Sequence, residues 1–292
     1  MKGKIIRGVG GNYFVHLGDQ GVYMCRAKGI FRRRGIKPKV GDMVDIVITH
    51  EGDREGNIME IYERKNSLFR PVVANVDQAL VVFAAHEPEP NFPLLDTFLI
   101  TMKKQDVPVI ICFNKMDLAG EEEQDRLRTI YENSGCQLVF SAAAEGRGLD
   151  RVENLIRGKT TVLAGPSGVG KSSLLNHICR DTVMETGSVS EKIKRGRHTT
   201  RHAELIYVGN DSYIVDTPGF SSLSLMDMEK EELAEYFPEF EEYQPDCRFL
   251  DCQHRNEPDC AVKNAVDLGE ISRQRYDSYL LLYRDLADRK KW

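Results

Sequence analysis

The residues Gly165-Pro-Ser-Gly-Val-Gly-Lys171-Ser172 carry the spacing GxxxxGK[ST], a glycine-rich turn that delivers a lysine and a hydroxyl to one place. Glycines let consecutive backbone N–H groups curl around an anionic oxygen, and a following helix adds positive potential at its N-terminus. Here the turn stands between the apolar run TTVLA (160–164) and the helical stretch SSLLNHICR, the context in which this spacing signifies a phosphate-binding loop. Lys171 would bridge the β- and γ-phosphates of a nucleoside triphosphate, and Ser172 would hold Mg2+. Gly165, Pro166, Ser167, Gly168, Val169, Gly170 and Ser173 complete the expected cradle.

A second constellation, Asn114-Lys115-Met116-Asp117, follows the apolar run VPVIICF directly. A carboxylate at Asp117 can accept hydrogen bonds from both the ring N–H and the amino group of guanine. Adenine offers no such pair, and an unmatched buried carboxylate is costly. Ser141 and Ala142 stand at the end of another apolar run, where the Ala142 N–H could meet the guanine carbonyl. Asp216-Thr-Pro-Gly219 ends the run SYIV, so Asp216 could reach Mg2+ through water and the Gly219 N–H could sense the γ-phosphate. Between these lies KIKRGRHTTRH, in which Thr199 or Thr200 is the natural second hydroxyl ligand to Mg2+ in a loop ordered by triphosphate. In Ras-like enzymes a glutamine after the glycine of DTPG orients the attacking water; here Phe220 stands there, so hydrolysis should be slow and partner-dependent. His198 is the best replacement for positioning that water, with Lys171 and Thr200 beside it in the catalytic set.

A third constellation is Cys247-x4-Cys252-x-His254-x5-Cys260. Three thiolates and an imidazole satisfy tetrahedral Zn2+ with no position left for water, which marks a structural site. The other four of seven cysteines are scattered, and an odd count argues against a closed disulfide framework.

These residues need elements to position them. Residues 1–68 form short alternating runs broken by glycine, such as GKIIRGV and GNYFVHLG, and read as five or so strands of an OB-fold barrel. The interruption FRRRGIKPKVGD reads as an exposed loop whose Arg32, Arg33, Arg34, Lys37 and Lys39 would contact RNA phosphates. Residues 1–70 hold 14 Lys and Arg against 8 Asp and Glu, a balance of +6 on a chain of net charge −5. A basic head on an acidic body suits a polyanionic partner. From residue 69 to 222, nearly continuous apolar runs at 79–85, 107–113, 137–142, 160–165 and 212–217 alternate with helical stretches, the pattern of buried parallel strands in an α/β sheet. Residues 223–292 read as an acidic helix (MEKEELAEYFPEFEEY), the Cys/His cluster and a terminal amphipathic helix. At 41% hydrophobic and 29% charged residues, with no apolar run near bilayer length and no signal-peptide pattern, the chain reads as soluble and cytoplasmic with no membrane partner. Nothing in it requires a dimer.

The GTPase elements are thus all present, but in the order base reader, base support, phosphate loop, switch I, switch II (G4-G5-G1-G2-G3). A doubly wound sheet can be reopened at a surface loop without disturbing its strand order, so the reversal is a circular permutation. With GPSGVGKSS, GRHTTRH, DTPGF, the barrel and the Cys/His cluster together, the whole chain resembles the RsgA (YjeQ/YloQ) family of ribosome small-subunit-dependent GTPases. The resemblance implies an OB barrel, a permuted P-loop GTPase domain and a C-terminal helical zinc domain using GTP/GDP, Mg2+ and one Zn2+. It further implies a GTPase that binds the 30S subunit and 16S rRNA, is stimulated by the subunit and acts late in its maturation. It matches all four zinc ligands and points to GRHTT for catalysis. The alternative is an RNA-binding assembly factor that uses GTP as a sensed ligand with little turnover. A small-molecule kinase would leave Asp117, the zinc cluster and the basic barrel without a purpose.

Overall fold

A computed structural model of the chain describes residues 1–33, 35–179, 203–216, 225 and 228–289, with the side chains of Ile30, Arg32 and Asp216 left aside. Five strands, β1 (Lys2–Val9), β2 (Asn12–His16), β3 (Val22–Ala27), β4 (Met43–His50) and β5 (Glu55–Ile61), close into a barrel in the order β1-β2-β3-β5-β4. Its core is Ile5, Val15, Tyr23, Cys25, Phe31, Val44, Ile46 and Ile58. A register shift between Ile5 and Arg7 breaks the alternation of β1, which is how Ile5 and Ile6 are both buried. The expected loop at 31–42 begins as a short helix, α1 (Gly29–Arg33), before the chain returns to β4.

The remaining strands are β6 (Gln78–Ala84), β7 (Val109–Asn114), β8 (Gln137–Phe140), β9 (Thr160–Ala164), β10 (Glu204–Tyr207) and β11 (Tyr213–Asp216), forming a six-stranded sheet in the order β10-β11-β9-β6-β7-β8. Every residue of β6 and β9 is buried, as their unbroken apolar runs require. The pairs β7–β8 and β9–β11 are parallel, while β10 is an antiparallel edge strand the apolar runs did not reveal. Helices α2 (Phe92–Lys103), α3 (Glu121–Tyr131), α4 (Leu149–Ile156) and α5 (Lys171–Ile178) alternate with these strands. The Asn91 side chain caps α2 by accepting from the Leu94 N–H at 3.0 Å, and Pro93 pre-sets its first turn.

The chain divides into two compact units, one of Met1–Ala79, Asp150–Leu163 and Leu174–Phe220, the other of Leu80–Leu149, Ala164–Ser173 and Ser221–Trp292. In the first, the barrel meets the β10–β11 hairpin and the start of β9: His16 Nδ1 lies 2.9 Å from the Tyr213 hydroxyl, and Lys4 donates to Thr160 at 2.8 Å. In the second, α6 (Ala261–Leu268) and α7 (Arg273–Ala287) enclose a core with Leu233, Phe237, Phe240, Tyr276 and Tyr279, to which α2 contributes Ile100. The acidic stretch expected as a helix is instead two 3-10 turns, Lys230–Tyr236 and Pro238–Phe240. Pro238 cannot donate a backbone hydrogen bond, so an α-helix cannot run through it without a break. Among the described residues no helix is long and apolar enough to cross a membrane.

Candidate functional site

Two glycines show why the phosphate loop reads as it does. Gly165 has φ +133°, and a Cβ there would sit 2.1 Å from the Val82 carbonyl oxygen. Gly170 has φ +95°, and a Cβ there would sit 2.2 Å from Asn114 Nδ2. No L side chain fits either place without moving backbone or the base-reading loop. Lys171 folds back over the loop, its ammonium donating to the carbonyls of Gly165 at 2.8 Å and Pro166 at 2.5 Å. Ser167, Gly168, Ser172 and Ser173 are exposed around it, while Val169 is buried beneath. These two carbonyl acceptors are neutral, and an anionic phosphate oxygen is a stronger one.

Asn114 joins the base reader to this loop. Its Nδ2 donates to the Val169 carbonyl at 2.9 Å, and its Oδ1 accepts from Ser141 Oγ and the Ala143 N–H, both at 3.0 Å. An asparagine amide offers two donors and two acceptor sites, so three of four are committed inside the protein. The side chain is therefore first a strut between phosphate loop, base reader and base support, with one N–H left for a ligand. Lys115 takes the left-handed conformation (φ +63°) and donates to the Glu87 carbonyl. Asp117 Oδ1 is buried with no hydrogen-bond partner among the described residues, an acceptor of the kind guanine's N–H and amino group would satisfy. The Ala142 N–H, expected to meet the guanine carbonyl, donates to the Arg147 carbonyl at 3.0 Å. The sharp turn at Gly148, where a Cβ would lie 2.4 Å from the Phe140 carbonyl oxygen, brings Arg147 back to take it.

His198, Thr199, Thr200, Gly219 and Arg34 lie outside the described residues. The backbone of Asp216 closes β11, paired with Glu204. On the barrel, Arg33 and Lys37 are exposed, whereas Lys39 is half-buried and donates to Ser67 Oγ, beyond the last barrel strand, at 2.6 Å.

The four metal-ligating atoms of Cys247, Cys252, His254 and Cys260 lie within 4.8 Å of one another. His254 Nδ1 is 3.6 Å from Cys247 Sγ and 3.5 Å from Cys260 Sγ, and the two sulfurs are 3.9 Å apart. Tetrahedral zinc with Zn–S of about 2.3 Å and Zn–N of about 2.05 Å requires S···S near 3.8 Å and S···N near 3.6 Å. Cys247, His254 and Cys260 thus have the spacing of a zinc site with Cys252 close by, and all seven cysteines are free thiols. Burial pushes the Cys252 thiol up to about 12, so a bound dication is what would hold it as thiolate. Helix α7 fixes the loop from behind: Tyr276 donates to the His254 carbonyl at 2.6 Å and Tyr279 to the Gln253 carbonyl at 2.8 Å.

One cluster escaped the sequence reading. Arg275 of α7 is 2% exposed and donates to Glu239 at 2.6 and 3.2 Å and to Asp96 of α2, which also accepts from the Tyr131 hydroxyl at 3.0 Å. Burial opposes the charge on Arg275, but Asp96 and Glu239 outweigh it and raise its pKa. Burial pushes the Asp96 carboxyl up, against the pull of Arg275. The available signal was Asp96 itself, a lone carboxylate inside the apolar helix PLLDTFLITM.

A family model described as the RsgA GTPase matches residues 61–226, and one described as the RsgA N-terminal domain matches residues 2–58. The small ribosomal subunit biogenesis GTPase RsgA of Agathobacter rectalis is 50% identical over 302 residues, covering 100% of both chains. The chain belongs to the RsgA GTPase family. A second relative of the same name, from Alkaliphilus metalliredigens, is 46% identical over 100% of this chain and 99% of its own. The crystal structure of YloQ, a circularly permuted GTPase, matches with a TM-score of 0.78 at 39% identity, covering 100% of this chain and 96% of that one. The structure of YjeQ from Thermotoga maritima matches at 0.79 and 35% identity, covering 99% of each. Family membership makes this chain a GTP hydrolase with the circularly permuted order.

Proposed function

We propose that this GTPase binds the 30S ribosomal subunit, is stimulated by it, and acts late in its maturation in the cytoplasm, as a monomer. The observation that carries the reading is the Asn114 strut, which ties the Asp117 loop to the phosphate loop and makes guanine recognition and triphosphate binding one preorganised unit. The names of the relatives supply the partner. Functionally the chain divides into an RNA-binding barrel (1–68), the GTPase domain (69–222) and a zinc-stapled helical domain (223–292).

Asp117 reads the base, and the remaining Asn114 N–H supports it. Lys171 leaves the Gly165 and Pro166 carbonyls for the β- and γ-phosphates. Ser172, Asp216 and Thr199 or Thr200 would hold Mg2+, which neutralises developing phosphate charge. His198 positions the water in place of the glutamine that Phe220 replaces, and turnover waits for the ribosomal subunit. Arg33 and Lys37 face solvent on the barrel and are suited to 16S rRNA phosphates.

The test is GTP turnover by the purified chain, alone and with 30S subunits, with ATP and 50S subunits as controls. GTP-specific stimulation by 30S is expected. GTP binding without stimulated turnover would favour an assembly factor that only senses GTP.

A further inference from the structure

The barrel carries an open cavity of about 640 Å3 between the β1–β2 turn, the end of β3 and the segment that follows α1. That volume lies in the range of small-ligand sites, roughly 300–1,000 Å3, and exceeds what a single nucleobase fills. Its walls are aromatic and apolar, from Tyr13, Phe31, Ile36 and Pro38, and two lysines, Lys28 and Lys37, stand among them. Both lysines are exposed, and neither ammonium has an ion pair or hydrogen bond among the described residues. Among the described residues no carboxylate lines the cavity.

The wall is also built in advance. Asp42, fully buried, accepts from the Lys39 N–H at 2.7 Å and from Arg64 at 2.7 and 2.9 Å. Arg64 in turn donates to the Lys37 carbonyl at 2.8 Å, and the Ile36 N–H donates to the Phe31 carbonyl at 2.9 Å. A buried carboxylate and a guanidinium thus fix the backbone that presents Ile36 and Lys37, so ordering this wall does not fall on binding.

Gly29, on the rim, adds an independent sign. Its φ lies outside the left-handed region, and a Cβ there would meet nothing within 4 Å. Neither backbone conformation nor packing among the described residues therefore calls for glycine at the start of α1. Close approach of an external group is a reason for glycine that remains.

We infer that this cavity is a subsite for one unstacked nucleotide of a single-stranded RNA segment, its base against Tyr13 and Ile36 and its flanking phosphates on Lys28 and Lys37. Unpaired bases are what proteins take against aromatic walls, and cations flanking an acid-free pocket select a polyanion. The barrel then does more than track phosphates: it holds a base, which gives it a preference for loops and bulges over duplex. The inference rests on the proposed ribosomal role for its biological source but not for its chemistry.

The experiment uses the full chain with saturating GDP, which occupies the nucleotide site, and a fluorescein-labelled hexauridylate read by anisotropy over a salt series. Gly29→Val places a branched side chain at the mouth and leaves every charge in place. It should weaken binding at least tenfold with an unchanged circular dichroism spectrum. Lys28→Ala and Lys37→Ala change only exposed residues. Each should reduce the slope of log affinity against log salt by about 0.7, one single-strand phosphate contact. Binding by Gly29→Val within twofold of the wild type, or lysine variants with the wild-type slope, would overturn the subsite. So would failure of the wild-type chain to bind at about 50 mM salt, where phosphate contacts are strong. Stimulation of wild-type GTP turnover by 30S is measured in parallel. If it persists while the oligonucleotide results fail, the cavity is wrong and the ribosomal role stands; if it is absent, the oligonucleotide still judges the cavity.

Discussion

Replacing Arg275 by Met removes a charge while keeping most of the volume, so the loss is electrostatic rather than a cavity. It leaves Asp96 and Glu239, 0% and 9% exposed, without the guanidinium that both accept from. Breaking a buried pair on one side costs about 3–5 kcal/mol. A separate route bounds the number. The folded variant can restore the lost positive charge by taking up one proton on Asp96, whose ordinary value is 3.8 and which burial already pushes up. Holding that proton at pH 7 costs about 1.4 kcal/mol per unit above 3.8, or about 4 kcal/mol, and at pH 5 about 1.6 kcal/mol. The sign follows from linkage: a carboxyl with a raised folded pKa binds its proton more tightly in the folded state, so stability falls as pH rises from the unfolded pKa to the folded one. Urea unfolding followed by far-UV circular dichroism, on wild type and variant at pH 5 and 7, measures the difference. A penalty under about 1 kcal/mol at pH 7, or one that does not shrink at pH 5, would refute the reasoning. Converting Asp96 and Glu239 to Asn and Gln in the same chain should recover part of the loss, because no buried carboxylate is then left unpaired.

Asp117→Asn exchanges an acceptor for a donor opposite the guanine amino group. GTP affinity should fall at least about a hundredfold while xanthosine triphosphate, with a carbonyl there, gains; competition binding that still prefers GTP would remove Asp117 from base recognition. Cys260→Ser should take zinc content, measured by atomic absorption, from one per chain to well below it, and a full complement in the variant would rule out Cys260 as a ligand. His198→Ala should lower subunit-stimulated turnover at least about tenfold with GTP affinity nearly intact, and equal turnover would exclude it from positioning water.

Local chemistry was legible and distant pairing was not. GPSGVGKSS, NKMD and the Cys/His spacing are contiguous strings whose meaning depends only on the strand or loop that carries them, and alternation in residues 1–61 was enough for a closed barrel. The partner of Asn114 lies 55 residues away, and the partner of Asp96 lies 179 residues away. No periodicity connects such positions. The bond from the Ala142 amide to Arg147 was illegible for the same reason: it depends on a turn at Gly148 that brings a carbonyl back over it. The edge strand β10 borrows its order from β11 across the sheet rather than from an apolar run of its own.

The permuted order and the buried Arg275 cluster bear on each other. In the permuted order the chain leaves β11 at Asp216 and continues into the segment that carries the Cys/His cluster instead of returning to the sheet. That connection alone invites the idea that loss of the γ-phosphate swings the C-terminal domain directly. Yet α7 holds Asp96 of α2 through a guanidinium 2% exposed, and Ile100 of α2 belongs to the same apolar core as Phe237, Tyr276 and Tyr279. A swing of the whole domain away from α2 would strand those carboxylates at a cost of about 3–5 kcal/mol, before any loss of apolar contact. Ligand-driven equilibria shift only by differential affinity, and a reversal from about 1:99 to 99:1 already takes about 5.5 kcal/mol. Adding the stranded charges would demand close to twice that from one phosphate. The less costly course keeps α7, α2 and the Cys/His loop together as one body.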